Sequence, residues 1–76
     1  MPERTDWEAK AANLLKAELK RKGVTYAQLV EKLAEIGVNE KEANVKNKLS
    51  RGKFTAAFFL QCLTAIGVRS LQIGLD

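Results

Sequence analysis

The sequence predicts an all-α fold, a compact bundle of four to five short helices. Two observations carry this. Apolar residues recur at three- and four-residue steps in four separate segments, which is the period of an amphipathic helix. Each segment also ends at a single glycine (Gly23, Gly37, Gly52, Gly67), and three of them open on a threonine (Thr5, Thr25, Thr55). A threonine oxygen can cap the free amides of a first helical turn, and a glycine can turn the chain away after the last. With 76 residues, one domain spanning 1–76 is expected, its core at about 6–68 and its tail at 69–76.

The first helix is expected over Asp6 to Lys22. Thr5 and Glu8 have the spacing of a capping box, and Trp7, Ala11, Leu14, Leu15 and Leu19 form the apolar stripe, with Trp7 as a core anchor. It closes on Lys20-Arg21-Lys22, cations that suit the negative end of a helix dipole. The second helix runs from Tyr26 to about Ile36, with Thr25 and Gln28 as a second capping box and a stripe of Leu29, Val30, Leu33 and Ile36. The third is capped by Asn39 and reaches Arg51; its apolar stripe is thin, Val45 and Leu49, with Val38 just before it. The fourth spans Ala56 to Ile66 behind Thr55. Its apolar residues, Phe58, Phe59, Leu60, Cys62, Leu63 and Ile66, cover about half the helix circumference, more than one face of a small domain normally buries. In the tail Leu71, Ile73 and Leu75 alternate with Ser70, Gln72 and Gly74, the period of a short strand.

Composition narrows the function classes. The formal net charge is +4, and the cations cluster in two places. Residues 16–22 carry Lys16, Lys20, Arg21 and Lys22 against Glu18; residues 40–53 carry Lys41, Lys46, Lys48, Arg51 and Lys53 against Glu40 and Glu42. This suits a polyanionic partner, and equally a lysine-rich soluble surface. The chain has no histidine, the commonest general base, and no glycine-rich phosphate loop, so it is expected not to be an enzyme. Glu31 and Glu35 lie one turn apart beside Lys32 and read as solvent-facing. No metal site, cofactor or small-molecule substrate is indicated. The one cysteine, Cys62, reads as a buried thiol in a reducing compartment. The charged start and the absence of a long apolar run predict no secretion leader and no membrane span, hence a cytoplasmic protein.

The third helix carries the chemistry. Asn44, Asn47, Lys48 and Arg51 are expected on its outer side. Asparagine can pair bidentately with adenine, and arginine or lysine with guanine. Lys20, Arg21, Lys22, Lys46 and Lys53 are the candidate phosphate contacts. The plainer reading of the first set is a solvated polar face, and of Lys20 to Lys22 a charge cluster at a helix C-terminus. Phe54, Phe58 and Phe59 read as core. The surplus apolar arc around Phe58 and Leu60, together with Leu71, Ile73 and Leu75, is assigned to self-association: an antiparallel two-stranded ribbon from two tails would satisfy backbone groups that a lone strand leaves unpaired. The other outcome for the tail is that Leu71 folds back on the core.

These words resemble a known class. Leu49-Ser50-Arg51-Gly52-Lys53, Leu63-Thr64-Ala65-Ile66-Gly67-Val68 and Tyr26-Ala27-Gln28-Leu29-Val30-Glu31-Lys32-Leu33 are similar to segments of lambda-repressor-like helix-turn-helix domains. The chain departs from that class in spacing Val45 and Leu49 four apart, where the class has three, and in a slightly long turn before them. As a whole it resembles more closely a family of small bacterial proteins catalogued only as a domain of unknown function. That resemblance rests on Leu14-Leu15-Lys16-Ala17-Glu18-Leu19-Lys20, Gly23-Val24-Thr25-Tyr26 and Leu49 to Phe58, and covers about residues 7–70. The helix-turn-helix likeness implies a homodimeric transcriptional regulator that reads double-stranded DNA in the major groove with the helix at 39–51. From a different class, the alternative is a protein-interaction adaptor, or an antitoxin-like module, that keeps the fold without specific DNA binding.

Overall fold

The computed structural model describes residues 5–74, and among them it contains four helices and no strand. They are α1 (Asp6–Lys22), α2 (Tyr26–Glu35), α3 (Glu42–Arg51) and α4 (Ala56–Ala65). Both expected capping boxes form. The Thr5 hydroxyl accepts from the Glu8 amide at 3.1 Å while the Glu8 carboxylate accepts from the Thr5 amide at 2.6 Å. Thr25 and Gln28 repeat the exchange at 3.1 and 2.9 Å. At α4 the Thr55 hydroxyl accepts from the Phe58 amide at 3.0 Å. Each bond satisfies an amide that the first helical turn leaves unpaired.

The four helices bury one core. α1 contributes Ala12, Leu15 and Leu19, α2 Leu29 and Leu33, α3 Val45 and Leu49, and α4 Phe58, Cys62 and Leu63, with Ile66 just beyond. α1 packs against α3 and α4, and α2 against the same two. Phe54 leads into α4 and stacks on Phe59, ring centroids 6.0 Å apart and nearly parallel. At the junction of α3 and α1, Gly52 is buried with φ 71°, and a Cβ built there would collide with the Glu8 carbonyl, its carbon only 2.7 Å away. The end of α3 therefore touches the backbone of the first turn of α1.

Several expectations are corrected. Trp7 is not a core anchor; it is 78% exposed, with the Lys10 ammonium 5.9 Å from its ring centroid. At about 100° per residue it lies roughly 80–140° around the helix from Leu15, Leu19 and Ala12, the stripe that is buried. Asn39 does not cap α3. The helix begins at Glu42 behind Lys41, whose side chain makes no capping bond, because the preceding turn is closed differently. There the Val38 amide donates to the Leu33 carbonyl at 2.9 Å and Glu40 is drawn to Lys48. Ile36, placed in the α2 stripe, lies beyond the last turn and is 44% exposed. Phe58, grouped with Leu60 for self-association, is 3% exposed and belongs to the core; only Leu60, at 60%, remains open. The strand expected over the tail does not form among the described residues, and Leu75 lies outside them. Instead Leu71 is half-buried against the core and Ile73 stays exposed. A strand needs a hydrogen-bonding neighbour, and the described residues supply none.

Candidate nucleic-acid interface

α3 is ten residues long, and its sequence divides it cleanly. Val45 and Leu49 are one turn apart and fully buried. At about 100° per residue Asn47 points directly away from that pair, and Asn44 and Arg51 lie about 40–60° to one side of it. All three are exposed, as is Lys46 on the other flank. None of these four side chains has an intrachain hydrogen bond or ion pair among the described residues. Asn44, Asn47 and Arg51 follow one another at i, i+3 and i+7. They form a single outward ridge about 10 Å long.

Lys48 behaves differently. It was expected to face outward with the ridge, but it sits on the flank of the stripe, about 80° from its middle. There it is half-buried, donates to the Glu40 carboxylate at 2.8 Å, and rests with its ammonium 4.4 Å from the Phe58 ring centroid. This cation ties α3 to the turn before it and to α4. Cys62 lies in the same region. Burial first, and the nearby Glu40 carboxylate second, push its thiol from 9.0 up to about 12, with Lys48 opposing. The thiol is therefore held neutral.

The second basic cluster lies elsewhere. Gly52 touches Glu8, so α3 ends beside the first turn of α1, whereas Lys20, Arg21 and Lys22 occupy its last turn, about 18–21 Å along the axis. Two of those three cations already have partners. Arg21 donates to Glu18 at 2.6 Å and Lys22 to the Gly67 carbonyl at 3.4 Å, while Lys20 is exposed. Lys53 is exposed immediately after Gly52. The connection between α2 and α3, residues 36–41, is longer than the three or four residues of a standard helix-turn-helix.

Residues 7–71 match a family described as a domain of unknown function, DUF6471. The chain belongs to that family. The match takes in α2, α3 and α4 whole, α1 but for its first residue, and the tail as far as Leu71. No curated protein and no solved structure matches the chain.

Within this DUF6471 domain the structure brings Asn44, Asn47 and Arg51 onto one ridge, keeps Lys46 and Lys53 exposed, and turns Lys48 inward. The sequence carried a signal for the last of these. Lys48 lies one residue from buried Leu49 and eight from Glu40, but the reach of that pair depends on how the turn folds. Among the described residues no group of three or more acidic, histidine or cysteine side chains could hold a metal ion, and no helix is long and apolar enough to cross a membrane.

Proposed function

We propose that this domain is a helix-turn-helix DNA-binding protein, a transcriptional regulator that reads the major groove with α3. The observation that carries the reading is the exposed Asn44–Asn47–Arg51 ridge, whose side chains have no partner among the described residues, on a helix pinned from behind by Val45 and Leu49. A ridge of about 10 Å spans roughly three base pairs, and a major groove about 12 Å wide admits an α-helix. Asparagine has poor helix propensity, so two in ten residues lower intrinsic helix stability, and base contact is a use that offsets it. Self-association would set two such helices on a palindromic site, with exposed Leu60 and Ile73 as the surfaces left to meet a second copy.

The test is site selection from random duplex DNA by purified protein, followed by titration of the enriched site. Arg51→Ala and Asn47→Ala should each weaken specific binding by about 1–3 kcal/mol while leaving the melting temperature near that of the parent. If no sequence is enriched and no duplex is bound at low salt, the reading fails and a protein-binding role takes its place.

A further inference from the structure

The last two turns of α1 and the start of α2 are joined by the short turn at Gly23. Between them is an open cleft of about 310 Å³ lined by Lys16, Leu19, Lys20, Val24, Thr25 and Tyr26. Leu19 is buried, and Val24 and Tyr26 are half-buried against the core, so the base of the cleft is apolar and fixed. Lys16 and Lys20 stand one helical turn apart on its rim. Neither has an ion pair or side-chain hydrogen bond among the described residues, and no carboxylate lines the cleft. The neighbouring cations differ: Arg21 is held by Glu18, and Lys22 by the Gly67 carbonyl.

We infer that this cleft seats one backbone phosphodiester of a DNA strand, the phosphate between Lys16 and Lys20 and the adjoining sugar against Val24 and Tyr26. Like charges at i, i+4 repel, and an anion between them removes that repulsion. An inorganic anion would use only the rim, whereas a nucleotide unit also has an apolar sugar face for the base of the cleft. The assignment moves phosphate binding at the end of α1 from Arg21 and Lys22 to Lys20 and to Lys16, which sequence reading left out. Lys16 is eight residues, about 12 Å along α1, from Glu8, where α3 ends. Lys20 is about 18 Å away on the same count, so a phosphate between the two lies about 15 Å along α1 from the end of α3, a few ångströms more than a major-groove width of about 12 Å, as for a strand bordering the groove that holds α3. The inference rests on the duplex-binding reading of α3.

The experiment compares the full chain with Lys16→Gln/Lys20→Gln and with Arg21→Gln/Lys22→Gln, on a random-sequence duplex over a range of salt. One phosphate contact contributes about 0.9 to the slope of log affinity against log salt. The first pair should lower the slope by about that much, and the second pair should leave it unchanged. Amide shifts during the same titration separate the two ideas. Shifts at Asn44, Asn47 and Arg51 with equal slopes in all three proteins overturn the cleft and keep the groove helix. Shifts at Lys16, Lys20 and Tyr26 without any on α3, together with the expected loss of slope, keep the cleft and overturn the groove helix. No shift anywhere overturns both.

Discussion

Replacing Gly52 with alanine should injure this domain more than the same change at Gly23, and the difference measures how closely α3 approaches α1. Both glycines end a helix with left-handed backbone, φ 68° at Gly23 and φ 71° at Gly52. An L side chain in that conformation costs roughly 1–2 kcal/mol. At Gly23 nothing lies within 4 Å of an added Cβ, so this is the whole effect. At Gly52 the Cβ would also overlap the Glu8 carbonyl, a backbone group that cannot swing aside as a side chain would. Forcing an extra carbon into packed surroundings costs roughly a further 1–3 kcal/mol. In a domain of this size each kcal/mol is worth about 4–8 °C of melting temperature. Gly52→Ala should therefore melt roughly 4–24 °C below Gly23→Ala, as read by circular dichroism and by urea midpoints. Equal melting temperatures would refute the close contact and leave Gly52 with only a dihedral role.

Other consequences can be checked in the same way. Leu49→Ala truncates a fully buried side chain and should destabilise by about 2–5 kcal/mol in urea unfolding, enough to approach the whole stability of so small a domain. Trp7→Ala removes a side chain 78% exposed and should change stability by less than about 0.5 kcal/mol; a larger loss in the same assay would place the indole in the core. Cys62 titrates near 12 when folded and near 9.0 when unfolded, so the folded state holds the proton more tightly. Its contribution is complete below pH 9 and is lost as pH rises from there towards 12. Cys62→Ala should show a shallower fall of urea midpoint above pH 9 than the parent, and identical slopes would contradict the burial of the thiol.

Local signals were the legible ones. Thr5 with Glu8, Thr25 with Gln28, and Thr55 located the starts of α1, α2 and α4 to the residue, because each cap is decided within four positions. Signals that depend on a distant partner failed. Periodicity put Trp7 on an apolar stripe but could not say which edge of the stripe would meet the other helices. Asn39 had capping chemistry, yet the turn folds with Glu40 on Lys48, eight residues away, and α3 begins behind Lys41. The alternating tail had strand chemistry with no strand to join. At the candidate interface the outward ridge of Asn44, Asn47 and Arg51 followed from the spacing of Val45 and Leu49 alone. The inward turn of Lys48 and the pairing of Arg21 and Lys22 did not, because each depends on tertiary neighbours. Gly52 was legible as a helix stop, and its seat against Glu8, across 44 positions of sequence, was not.

That seat also orders events in time. A ribosome delivers α1 first, yet the surface that receives its opening turn is finished only when Gly52 has been added, 30 residues after Lys22. At typical rates of synthesis this interval is roughly 2–6 s. Until then Leu15 and Leu19 lack the α3 surface that covers them in the finished fold, and α4 follows only with Ala65. The capping box of Thr5 and Glu8 is complete within α1 itself and can hold the first turn wound through the wait. A cap local to α1 can thus act before the glycine that its first turn receives has been made.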